Sequence, residues 1–184
     1  MRKFRRNVAM LSGLSGLLFL GAALSEAQTP RNIASDERAA ERFIAAKIGA
    51  ERARLAPGAP DLARDAVLDA IAQERSEAMA HGAPFAHEDE NGRFIVVEKV
   101  QARFSHFGAI GENIMREWNP SHSLDARDFA KRAVDGWMQS EGHRENILSP
   151  AFDRSGIGVA INGSSAYATQ VFWGPPKIKR ARDK

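Results

Sequence analysis

The chain has 184 residues, with 26 Lys+Arg against 23 Asp+Glu and no cysteine. That length suffices for one domain with a sizeable core, while the missing thiol excludes disulfides, thiolate catalysis, Cys-ligated zinc and a lipoprotein anchor, which needs a cysteine to carry its lipid. Four Lys/Arg fall within residues 1–27 and five within 177–184, so the body between is mildly acidic, the basic charge at the two ends is no evidence for nucleic-acid binding, and no nucleic-acid partner is expected.

Residues 1–27 read as an export signal. Arg2, Lys3, Arg5 and Arg6 make a basic start, Val8 to Leu24 is mostly apolar, and Ser25-Glu26-Ala27 places small residues where a signal peptidase inspects them. The competing reading is an uncleaved membrane anchor, but the apolar run falls short of the ~20 residues a spanning helix needs. No transmembrane segment is expected after cleavage. Arg5-Arg6 is a weak match to twin-arginine export.

A polar lead over 28–34 comes next, and the globular domain is expected over 35–176. The spacing of Ala40, Phe43, Ile44, Lys47 and Ile48 predicts a helix over 35–53 with Ser35 as its N-cap. After "APGAP", residues 61–80 form a second helix capped by Asp61, with Leu62, Ala66, Leu68, Ile71, Ala72 and Met79 largely on one side. "HGAPFAHEDENGRF" reads as a loop. Residues 94–104 satisfy two templates, a strand by the propensity of "IVV" and a short helix with Phe94, Val97 and Val100 inward. "GAIGENI" reads as a turn leading into a buried segment, and residues 123–139 as a third helix. "GIGVAI" and "AYATQVFW", joined through Asn-Gly, predict a β-hairpin. Helices first and a hairpin last give an α+β domain with helices on an antiparallel sheet, and 177–184 is a short basic tail.

Three segments set ionisable residues among apolar ones: "PFAHEDENG", "GENI" and "SEGHRENIL". In this order, they resemble the CAP superfamily of cysteine-rich secretory, antigen-five and plant pathogenesis-related proteins, and most of all its cysteine-free bacterial branch. "FAHEDENG" is similar to the family's "F-S-H-x-D-x-x-G", "GENI" is its most recognisable short motif, and "GWMQSEGHRENIL" resembles the bacterial "W-x-x-S-x-G-H-R-x-N-I-L". "GIGVAI" and "YATQVFW" resemble its paired closing strands, so the likeness runs over residues 38–174. It implies an α-β-α sandwich with a central cavity lined by His87, Glu112 and His143. Many eukaryotic members carry a second glutamate where this chain has Ser140, beside Glu141, and a histidine before the closing strand, where this chain has Tyr167-Ala168-Thr169-Gln170. The implied set is therefore a triad.

Other residues in these motifs read as structural. Gly142 is expected to turn the chain so that His143 points inward. Asn113 is expected to organise its loop, Trp137 and Trp173 to sit in the core, and Asn146 and Gln170 to support the fold. Trp118 is expected to be partly exposed, and His81, His106 and His122 to be surface or capping residues. Glu112 itself has a second reading as a carboxylate that ties loop to sheet.

Three functions are compatible with these residues. In the first, the cavity binds a divalent cation such as Zn²⁺ through His87, His143 and Glu112, or a small or lipid ligand. The second is a peptidase- or esterase-like hydrolase in which His87, Glu112 and His143 act as base and orienting groups and Ser140 is a weak nucleophile candidate, with no G-x-S-x-G elbow to support it. In the third, the domain is an interaction module of the periplasm or extracellular space, its partner an envelope ligand and its polar cluster structural.

Overall fold

The computed structural model describes residues 33–106, 108–118 and 125–176. The signal-like segment, most of the polar lead, His122 and the basic tail lie outside the described residues. Helix α1 (Ile33–Leu55) buries Ala40, Ile44, Ile48 and Arg52, one residue in four along a single stripe. It starts two residues before Ser35, which sits in its first turn instead of capping it.

The predicted second helix divides. Residues Ala63–Arg64 form a short strand, β1, and helix α2 runs over Ala66–Ala80. The cap is Asp65, not Asp61: its carboxylate accepts the backbone N–H groups of Val67 and Leu68 at 2.9 and 3.2 Å. The backbone before it is drawn into extended form because Ala63 and Arg64 pair with Arg154 and Ser155. The ambiguous stretch is helical, α3 (Ile95–Gln101). Its buried residues are Val96 and Val100, spaced i, i+4, whereas Phe94 is 53% exposed, so the inward face differs from the expected one. Packing of those two valines against α2 and the sheet overrides the strand preference of "IVV".

"GENI" lies not in a turn but inside β2 (Ala109–Trp118), a ten-residue strand. Helices α4 (Ala126–Gln139) and α5 (Glu141–Leu148) follow, then the hairpin of β3 (Arg154–Asn162) and β4 (Ser165–Gly174). The strand order is β1-β3-β4-β2, with β1 parallel to β3 and the other pairs antiparallel. The central pairs of the sheet are antiparallel as expected, and only the two-residue β1 at one edge runs parallel to its neighbour.

Helices cover both faces and make a three-layer α-β-α sandwich. On one side α1, α4 and α5 pack Ile44, Ile48, Phe129, Val134, Trp137 and Ile147 onto Val159, Ala168 and Phe172. On the other, α2 and α3 pack Leu68, Ile71, Val96 and Val100 onto Val171 and Trp173. Cover on both faces is why β4 is buried continuously from Ala168 to Gly174 instead of alternating. Gly156 and Gly158 set the depth of α2: a Cβ there would come within 2.0 Å of Leu68 backbone carbon and 2.2 Å of Gln73 backbone nitrogen. Their lack of a side chain lets helix and strand touch.

Candidate functional site

The site is built over β2, an edge strand of the sheet. Its edge away from β4 is closed by side chains: Asn146 Nδ2 donates to the Glu112 carbonyl at 3.2 Å, and Trp137 Nε1 donates to the Ile114 carbonyl at 3.0 Å. These bonds satisfy strand carbonyls that would otherwise invite another strand. Asn113 Nδ2 donates to the His143 carbonyl at 3.1 Å, and Asn146 Nδ2 also reaches Asn113 Oδ1 at 3.0 Å. The two asparagines therefore tie "GENI" to α5 and fix where His143 begins. Gly111 permits the contact, since a Cβ there would lie 3.0 Å from both Asn146 Oδ1 and Phe152 Cζ.

His87 sits on the loop between α2 and α3. Asp89 organises that loop, accepting the backbone N–H groups of Asn91 and Arg93 at 2.8 and 2.9 Å while pairing with the Arg93 guanidinium. The Arg93 backbone bond, with these others, holds the Asp89 carboxyl at about 2, below its ordinary 3.8. The backbone N–H of Ile95 donates to the His87 carbonyl at 3.0 Å and joins the loop to α3.

The three expected residues come together. His87 Nδ1 lies 2.8 Å from Glu112 Oε2, and the rings of His87 and His143 have centroids 5.9 Å apart. They line a cleft of about 390 Å³ together with Ser140, Gly142, Asn146, Phe94, Val96, Val97 and Ile110. Burial, then the neighbouring His87, pushes the His143 pKa below its ordinary 6.5, with Glu112 acting weakly the other way.

Sequence reasoning missed Arg75. This side chain is 2% exposed, and its Nε donates to Glu112 Oε1 at 2.9 Å. Both carboxylate oxygens are therefore engaged, one by a guanidinium and one by an imidazole. The signal was present in the sequence, because Leu68, Ile71, Ala72, Arg75 and Met79 share one helical face and an arginine there must be paired.

Gly142 does not turn the chain. It is the second residue of α5, has no positive φ and would meet nothing with a Cβ. The turn belongs to Ser140, whose extended φ of −91° and ψ of 125° end α4 and start α5. Ser140 lines the cleft, but its hydroxyl makes no cap bond, and the polar bonds of the cleft among the described residues do not include it. Trp137 is in the core at 2% exposure, Trp173 is buried, and Trp118 is 70% exposed. Gln170 is buried away from the cleft, among residues of the α1 side, and both its amide atoms lack a partner among the described residues. His81 ends α2, its Nδ1 2.8 Å from the Glu77 carbonyl, and His106 is exposed.

Residues 51–173 match the CAP family, the cysteine-rich secretory protein family. The chain belongs to this family. The CAP domain is similar to the uncharacterized protein YkwD of Bacillus subtilis (strain 168), 27% identical over 145 residues, which cover 78% of this chain and 51% of YkwD. It is also similar to an extracellular protein containing a SCP domain from Bacillus anthracis, at 27% identity and a TM-score of 0.62, covering 79% of this chain and 44% of that one. The chain thus spans about half the length of these bacterial relatives. The fold is shared with NaASP2, solved with Zn2+, at 14% identity and a TM-score of 0.53, covering 73% of this chain and 78% of that one.

Among the described residues, no group of three or more His, Asp or Glu side chains is arranged to hold a metal ion. With Glu112 occupied by Arg75 and His87, the cleft offers two imidazoles, fewer than the three protein ligands of a catalytic zinc site. None of the described helices is long and apolar enough to cross a membrane.

Proposed function

We propose that this is an exported CAP domain whose cleft binds a small amphipathic molecule, with its polar end at His87 and His143 and its apolar part against Phe94, Val96, Val97 and Ile110. The observation that carries this reading is one cleft lined both by two imidazoles with a paired acid and by apolar side chains. Its volume of about 390 Å³ falls within the usual range for small-molecule pockets. Export, to periplasm or beyond the cell, is supported by the basic and apolar character of residues 1–27 and by the family's secretory members.

The test is a titration with octanoate and octanol, followed by the ring resonances of His87 and His143. Saturable shifts in both rings are expected, with binding weakened at least tenfold in Phe94→Asp. Rings that stay unmoved at millimolar octanoate and octanol would remove the proposal.

A second reading is a divalent cation, favoured by the carboxylate bond to His87 Nδ1, the arrangement that orients an imidazole whose other nitrogen ligates a metal. The fold neighbour NaASP2 was solved with Zn2+. His87 and His143 would be the ion's two protein ligands, Glu112 being held by Arg75 and His87. Protein purified without added metal is expected to take up one equivalent of Zn²⁺ that both His87→Ala and His143→Ala lose; no uptake by the wild type eliminates this reading.

A further inference from the structure

Arg75 reaches two parts of the cleft at once. Its Nε holds Glu112 Oε1 at 2.9 Å, and an Nη donates to the carbonyl of Ala86 at 2.7 Å, the residue just before His87. One guanidinium therefore grips both the acid on β2 and the backbone of the loop that carries the imidazole. The fork geometry of arginine makes this possible, whereas a lysine is a point donor.

The hydrogen bond on the far side of the carboxylate carries information. Glu112 Oε2 lies 2.8 Å from His87 Nδ1. An ionised carboxylate only accepts, so the shared hydrogen belongs to Nδ1. In a neutral imidazole the other nitrogen, Nε2, is then the acceptor. This choice of tautomer depends on Glu112 keeping Oε2 directed at the ring. The acid's side chain is 3% exposed, and its other oxygen is held by Arg75.

We propose that Arg75 is a positioning residue: by clamping Glu112 and the Ala86 carbonyl together, it selects the His87 tautomer with hydrogen on Nδ1 and a bare Nε2. The inference rests on the cleft being the functional site, because a bare Nε2 matters there as acceptor, base or ligand. A guanidinium that merely offset a buried acid would stabilise the fold without setting the ring's tautomer.

The experiment uses the full chain labelled with ¹⁵N-histidine, in spectra that distinguish Nδ1–H from Nε2–H. The spectra are recorded at about pH 8.5, above the usual histidine range. His87 in the wild type is expected to favour Nδ1–H by about tenfold or more, the ratio a hydrogen bond to a charged group supports. Arg75→Met is expected to lower that ratio about tenfold. Arg75→Lys keeps the charge but not the double grip, and serves if the methionine variant fails to fold; its ratio is expected to fall severalfold while its melting temperature stays near that of the wild type. A wild-type ratio in the folded variants overturns the proposal and leaves Arg75 a structural counter-ion. A cleft that binds neither octanoate nor Zn²⁺, yet shows these tautomer ratios, would defeat the proposed function and leave this inference standing.

Discussion

His143 shows how a single residue ties the cleft to stability. Its pKa is held below 6.5 by burial and by the His87 ring. The unfolded chain therefore takes up a proton here at a higher pH than the folded chain does. The stability linked to His143 is complete above about pH 6.5 and is lost as the pH falls below that value. His143→Asn is expected to flatten the melting-temperature profile on the acid side of pH 6.5 relative to wild type; an unchanged slope would show that this imidazole is not the responsible group. Gln170 poses a different question. It is 0% exposed and neither amide atom has a partner among the described residues. An apolar side chain of similar shape relieves that cost, so Gln170→Met is expected to raise stability by about 1 kcal/mol in urea denaturation. A loss of stability would mean that the amide is hydrogen-bonded through water. His87, Glu112 and His143 were each legible as motif residues. Arg75 was legible only as a charge on the apolar face of α2 that needs a partner, and its partner, 37 positions away, was not.

At the scale of elements, the His87 loop is held by a carboxylate that acid titrates. Asp89 has a pKa of about 2 when folded against an ordinary 3.8, so its contribution is present above about 3.8 and fades as the pH falls toward 2. The amide of Arg93, which donates to Asp89, is expected to lose hydrogen-exchange protection across that window. In Asp89→Asn protection should be lower at neutral pH and nearly independent of pH below 5. Equal protection in both proteins would assign the loop's order to α3 instead. The helices and the closing hairpin could be read from periodicity, because each presents a stripe or an alternation of its own. β1 could not, since two residues carry no period. β2 was hidden for another reason: its glycine reads as a turn, whereas Gly111 is there to admit Asn146 and Phe152.

For the whole molecule, the spacing of the layers decides whether a cleft exists. Gly158→Val is expected to cost at least ~3 kcal/mol or to prevent folding, because its side chain would displace the α2 backbone. The shift would also move Arg75 away from Glu112, so the His87 and His143 resonances should change in any folded fraction; unchanged resonances and stability would contradict the packing described. Arg52 does a related job for the opposite layer. Buried at 2% exposure, it donates to the carbonyls of Pro60, Ile147, Ser149 and Phe152 and so joins α1 to the chain just before β1 and to the segment that runs from α5 to β3.

The sequence by itself determined the family, the sandwich of helices on a sheet, and the identity of the two imidazoles and the acid that meet in the cleft. The helices and the hairpin follow from local periodicity, while the sandwich and the three cleft residues are what the resemblance of the short motifs to the CAP family implies. Only the tertiary structure decided that β2 is an edge strand closed by Asn146 and Trp137, that Ser140 and not Gly142 makes the turn, and that both oxygens of Glu112 are taken. The reason is the distance along the chain: Arg75 and Glu112 are 37 positions apart, and Asn146 and Glu112 are 34 apart. Contacts of that kind exist only after the layers have packed, when a buried charge has to find its partner among whatever the fold has brought near.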